Sequence, residues 1–84
     1  MPQISVTNIG QAQVVLKDPH GYTEFVMEVN GGDTETAEVS NDLLQRLAPQ
    51  LTAAETPSYD VDGTTIISGI KWSASHGQYR RSSP

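Results

Sequence analysis

Three turn sequences divide the chain and limit how long any element in it can be: Asp18-Pro19-His20-Gly21, Asn30-Gly31-Gly32-Asp33 and Asp62-Gly63. Each pairs a residue that bonds or presets the local backbone (Asp, Asn, Pro) with a glycine that accepts positive φ. Between them the apolar residues alternate with polar ones, which is the period of a half-buried strand. Ile4-Ser5-Val6-Thr7 is the first such run, and Asn8 to Gln11, with Gly10, interrupts it. Ala12 to Leu16 resumes the pattern with Val14 and Leu16 on one face. Tyr22 to Val29 points Phe25, Met27 and Val29 one way and Glu24 and Glu28 the other. Ala12 to Val29 therefore reads as a β-hairpin closed by the first turn.

After the second turn, Thr34 to Val39 alternates with Ala37 and Val39 inward. The period then changes. Ser40 or Asn41 can cap a helix, Asp42 suits its positive end, and Leu43, Leu44, Leu47 and Leu51 recur at helical spacing. Pro49 is expected to limit this helix to about two turns, because it cannot continue the hydrogen-bond ladder. Thr52 to Pro57 reads as a loop. Asp62-Gly63 then joins Ser58–Val61 to Thr64–Trp72 as a hairpin, with Ile66, Ile70 and Trp72 on one face, Ile67 on the other, and a bulge or close contact at Gly69. Residues 73–84 are mostly Ser, Gly, Gln, Arg and Pro and are expected to hold no core position. The expected fold class is mainly β: a small barrel or sandwich of about six short strands with one short helix. A single β domain over residues 1–72 carries an extended C-terminal tail, residues 73–84.

A chain of 84 residues forms one domain and buries only a modest fraction of its surface. Such domains usually draw support from disulfides, a metal or a neighbour. The chain has no cysteine, so the first is excluded along with thiolate metal sites, and support from other subunits is the expectation. No run of apolar residues is long enough to cross a bilayer, and the first residues lack the pattern of a secretory signal. The net charge is −5, unevenly spread. All ten carboxylates lie between Asp18 and Asp62, where Arg46 is the one basic residue; from Gly63 onward stand Lys71, Arg80 and Arg81 and no acid. An acidic body argues against nucleic acid as the ligand. A basic end on an acidic body can instead dock on a neighbouring copy or on another acidic protein.

No combination of residues predicts catalysis, a metal or a cofactor. His20 in a turn and His76 in the tail do not make a metal site, which needs three or four converging ligands. Asp60-Val61-Asp62-Gly63 opens like a calcium loop but lacks the third acid and the closing glutamate, so it reads as a turn. No serine sits in a nucleophile elbow, and Gly31-Gly32 lacks the lysine of a phosphate loop. Glu24 and Glu28 stand about 13 Å apart on a strand, too far for a hydrolytic pair. A non-enzyme is expected, with no cofactor. The interaction candidates are Tyr22, Val26 and Ile67, apolar residues on the polar side of their strands, and Tyr79, Arg80 and Arg81 in the tail, residue types frequent at binding hot spots.

The early Val6-Thr7-Asn8 strand, the hairpin, Val29-Asn30-Gly31-Gly32-Asp33-Thr34, the alternation to Val39 and the helix at Leu43–Leu47 together resemble small virion proteins of tailed bacteriophages. The resemblance covers roughly residues 4–52; that family commonly has proline before the glycine of the turn, where Asn30 stands here. It implies a structural protein made in the host cytoplasm and carried in the virion, a capsid decoration or cement protein that stabilises a phage head through subunit contacts. Its partners would be other virion subunits, the major capsid protein as a candidate, in a homo-oligomer without nucleic acid or membrane. The alternatives are a phage tail or head–tail adaptor component and a small ligand-binding β module.

Overall fold

A computed structural model describes residues 1–75. Among these residues seven strands and one helix follow in the order β1 (Gln3–Asn8), β2 (Val14–Lys17), β3 (Val26–Val29), β4 (Thr34–Glu38), α1 (Asn41–Ala54), β5 (Ser58–Tyr59), β6 (Ile66–Ser68) and β7 (Ile70–Ser75). This is the small, mainly β fold with one helix that the alternating runs imply. β1 is the middle strand of a three-stranded antiparallel sheet, β4-β1-β7; β2–β3 and β5–β6 are separate two-stranded ribbons. Alternation along β1 sends Ile4, Val6 and Asn8 to the buried face. The register sets Ala37 and Ala74 beside Ile4, and Trp72 beside Val6, so small and large side chains share that face. The core unites Ile4 and Val6 with Leu16, Met27 and Val29 of the β2–β3 ribbon, Val39, Ile70 and three leucines of α1.

The helix is longer than expected. It runs through Pro49 to Ala54, taking in part of the stretch expected to be loop. Ser40 is the cap: its hydroxyl accepts from the Leu43 N–H at 3.0 Å. Leu43, Leu47 and Leu51 are all buried, and the last of them lies beyond the proline. A proline in a helix interior costs about 3 kcal/mol; set against it are the burial of Leu51, about 2 kcal/mol, and the packing of Ala54 on the core. Stopping at Pro49 would forfeit Leu51, whose burial also anchors the second half of the helix to the core. Pro49 itself is exposed, so its ring meets solvent and only one ladder bond is missing.

Further boundaries also differ from expectation. Only Val26–Val29 of the Tyr22–Val29 run is strand, because Tyr22 to Phe25 is drawn into a turn organised by Asp18. The last hairpin is not closed by a two-residue turn. β5 pairs with β6 across residues 60–65, where the Asp62 carboxylate accepts from the N–H groups of Thr64 and Thr65. The expected strand Thr64–Trp72 is two strands: Gly69 separates β6, which pairs with β5, from β7, which pairs with β1. β7 continues to Ser75 with Ala74 against the core, so the sheet extends three residues past the Trp72 boundary.

One buried polar side chain joins these pieces. Asn8, fully buried at the end of β1, donates through Nδ2 to the carbonyls of Ala12 at 2.8 Å and Val29 at 2.9 Å. Its Oδ1 accepts from the Gly10 N–H at 2.9 Å. The main chain around it is equally committed: Asn8 N–H donates to the Asp33 carbonyl, Gly32 N–H to the Asn8 carbonyl, and Ile9 N–H to the Gly69 carbonyl. Gln11 and Ala12 both donate to the Ile67 carbonyl. Residues 9–12 are thus pressed between the β3–β4 turn and the β6–β7 junction. Two glycines allow it: a Cβ on Gly10 would lie 2.5 Å from the Ile67 carbonyl oxygen, and one on Gly31 would lie 2.6 Å from that of Gln11.

Asn8→Ala leaves one donor and two acceptors of this junction unpaired. Urea unfolding should show a loss of ~3 kcal/mol with an unchanged slope against denaturant. Pro49→Ala restores the missing helix bond and should stabilise by about 1–3 kcal/mol in the same measurement.

Candidate functional site

The densest polar cluster among the described residues grows from the first turn. Asp18 directly follows β2, and its carboxylate is enclosed, the side chain being 1% exposed. Arg46, on α1, reaches across to it in a two-pronged contact: Nε to Oδ1 at 3.0 Å and a terminal nitrogen to Oδ2 at 2.9 Å. The His20 N–H, the Thr23 N–H and the Thr23 hydroxyl complete the donor shell, at 3.1, 2.9 and 3.0 Å. Asp18 therefore folds the 18–23 segment around itself and ties it to the helix. The Arg46 guanidinium holds this carboxyl well below the usual carboxylate range; burial opposes the shift, and the N–H and hydroxyl donors reinforce it. Arg46 is raised in turn, chiefly by the hydrogen bonds it donates to Asp18.

The cluster presents an aromatic surface. The Tyr22 ring lies with its centroid 5.0 Å from the Arg46 guanidinium carbon. The His20 ring stacks on Tyr22 at 5.4 Å between centroids and 19° between planes. Tyr22 nevertheless remains 74% exposed. Next to this turn, the outer face of the β2–β3 ribbon carries Val15, Lys17, Val26 and Glu28, with Lys17 opposite Val26 and Val15 opposite Glu28. Val26 and Val15 are 53% and 42% exposed. The opposite ribbon face gives Leu16 and Met27 to the core.

Of the residues expected to form an interaction patch, Tyr22 and Val26 are exposed, Tyr22 in the turn against Arg46 and Val26 on the outer face of the ribbon opposite Lys17. Ile67 does not join them. It is half-buried, and its carbonyl bonds the Gln11 and Ala12 N–H groups near the Val14–Val29 end of the ribbon, whereas Val26 pairs with Lys17 at the other end. The β6 strand turns inward there because its backbone closes on Gly10. Tyr79, Arg80 and Arg81 lie outside the described residues. Val15 was legible as a patch residue, since it is out of phase with Val14 and Leu16. Arg46 offered a subtler signal as the lone cation in an acidic stretch, and its ring partner only the fold could supply. Among the described residues no group of three His, Asp or Glu side chains is placed to hold a metal ion, and no helix is long and apolar enough to cross a membrane. The chain matches no family model, no curated protein and no solved structure.

The Asp18 geometry fixes a pH dependence. In the unfolded chain this carboxyl takes up its proton near the ordinary value of about 3.9; in the folded chain it holds the charge to lower pH. Its contribution is complete above that ordinary value and is lost as pH falls from there toward the folded one. Asp18→Asn should therefore be less stable than the parent at neutral pH. Followed by urea unfolding between about pH 5 and pH 2, it should also lose stability less steeply with acid than the parent does.

Proposed function

We propose that the chain is a structural virion protein, a capsid decoration or cement protein that stabilises a phage head through subunit contacts. The observation that carries this reading is the exposed ring of Tyr22, held in place by His20 and Arg46, together with exposed Val15 and Val26 on the outer ribbon face. An aromatic anchor fixed before binding loses little rotamer freedom on docking, so more of its burial appears as affinity. The placement on a phage head rests on the sequence resemblance. The acidic body and the basic C-terminal end, with Arg80 and Arg81 beside Tyr79, add a second contact of opposite sign to that body. The mechanism is adhesive: each bound copy joins neighbouring subunits, and occupancy stabilises the particle by mass action without chemistry.

A small ligand-binding β module is the second reading. The observation in its favour is the His20–Tyr22 stack, a flat aromatic surface open to solvent.

Truncation after Ser75 keeps β7 whole and removes only residues 76–84. The truncated chain should melt like the full chain yet occupy purified virions of the source phage at several-fold lower copy number, by quantitative gel analysis. Equal occupancy would contradict the tail contact. A few copies per particle would favour a tail or head–tail adaptor, and none would contradict the virion reading.

A further inference from the structure

Among the described residues the three-stranded sheet has two unpaired edges, and they differ in charge. Bonds flanking the ladders fix which main-chain groups point outward. Asn8 N–H donates to the Asp33 carbonyl and Val39 N–H to the Pro2 carbonyl, one at each end of the β1–β4 pairing, while Ile9 N–H donates to the Gly69 carbonyl beside β7. Alternation in an antiparallel ladder then turns Ile4 and Val6 toward Ala37 and Glu35, and Gln3, Ser5 and Thr7 toward Ser75, Ser73 and Lys71. The N–H and C=O groups of Thr34, Thr36 and Glu38 are left facing out of β4, and those of Ile70, Trp72 and Ala74 out of β7. None of these six residues has a further main-chain partner among the described residues.

Such edges pair with other chains unless something prevents it. Neither strand contains proline. The β4 edge is acidic, with Glu35, Glu38 and the adjoining Asp33; the β7 edge carries Lys71, and no acid follows Gly63. Pairing β4 with a second β4 sets carboxylates against carboxylates. Pairing β7 with β4 joins opposite signs. β4 and β7 both run antiparallel to β1 and so parallel to each other. A second copy that continues the sheet with the same buried side therefore meets the first in parallel.

We propose that the chain assembles head to tail, the β7 edge of one copy pairing in parallel with the β4 edge of the next, with Trp72 opposite Glu35 and Ser73 opposite Thr36. The inference rests on the assembly reading above and names a second copy of the chain as partner. In this register the Trp72 N–H donates to the Thr34 carbonyl of the next copy and the Trp72 carbonyl accepts from the Thr36 N–H. Ala74 bonds Thr36 and Glu38 in the same way. The Glu35 side chain comes to stand beside Trp72 on the same sheet face. The Trp72 indole N–H is covered and has no acceptor among the described residues. A contact between two different edges closes into a ring or runs on as a filament, according to the rotation between copies.

The test uses the absence of native cysteine. Full-length S73C and T36C proteins are mixed and oxidised gently. Paired positions on neighbouring strands lie about 4.8 Å apart, within disulfide range. The expected product is the S73C–T36C heterodimer, in excess over either homodimer. Homodimers alone, or no cross-link, would overturn the proposal. Sedimentation of the unmodified chain should show assemblies larger than dimers at high concentration; a monomer throughout would also overturn it. Thr36→Pro removes an outward N–H at an edge, where proline is tolerated, so it should keep the parent's circular dichroism and sediment as a monomer. Assembly undiminished in that variant would count against the register. A monomeric chain that still coats virions would refute this inference alone, and an assembling chain absent from virions would refute the proposed function alone.

Discussion

Asn8 is the residue on which the arrangement of this fold depends. Three short β units meet at its end of β1, and none of them has enough length or apolar area to hold itself in place. Its side chain makes three hydrogen bonds, to Gly10, Ala12 and Val29, with no exposed surface. A polar group buried this deeply is costly when unpaired and specific when satisfied, because few other placements of the loop satisfy all three bonds at once. The ribbon carrying Leu16, Met27 and Val29 is thereby fixed over the sheet. The β6–β7 junction is fixed through Ile67 and Gly69, which accept from the same loop. Packing of Ile4, Val6 and the helix leucines supplies the driving force; Asn8 decides the arrangement that force stabilises.

A second polar node, Asp18 with Arg46, does the corresponding work at the other end of the ribbon. It fastens the 18–23 turn to α1, and Gln50 adds a bond from the helix to the Lys17 carbonyl. The two nodes differ in kind. Asn8 is neutral and joins backbone to backbone, so it responds to geometry; Asp18 is charged, so it responds to acid. What the Asp18 node exposes is also what the proposed function uses. Tyr22 is held between a cation and a second ring instead of being free to collapse onto the body.

Much of the fold was legible because alternation is a direct consequence of a strand having two faces. Met27 and Val29, Val14 and Leu16, and Ala37 and Val39 all fell on the face assigned to them. The structure departs from local expectation where a long-range interaction overrides a local rule. Pro49 is a valid helix breaker, but Leu51 lies one turn beyond Leu47 on the buried stripe, and its burial carried the helix on. Tyr22 and Glu24 follow strand alternation, yet the Asp18 carboxylate bends that stretch into a turn through bonds to His20 and Thr23. Ile67 looked outward by parity, but Gly69 resets the phase and Gly10 draws β6 inward. The strand was expected to break at Asn8, yet Asn8 is its last residue, paired with Ile70; its joining role needs Ala12 and Val29 in space, and no local pattern contains them. For the candidate site, Tyr22 and Val26 were visible by parity, whereas Arg46 became a site residue only through packing.

If the Asn8 junction holds the sheet, the ribbon and the β6–β7 corner as one unit, its amides cannot open without the rest of the molecule. Native-state hydrogen exchange at Asn8, Ile9, Gly10 and Gly32 tests this most directly. These amides should exchange only through global unfolding, with the same free energy and denaturant dependence as the core amides of Val6 and Leu47. Exchange at lower free energy, insensitive to denaturant while the core stays protected, would show the junction opening alone and would contradict it.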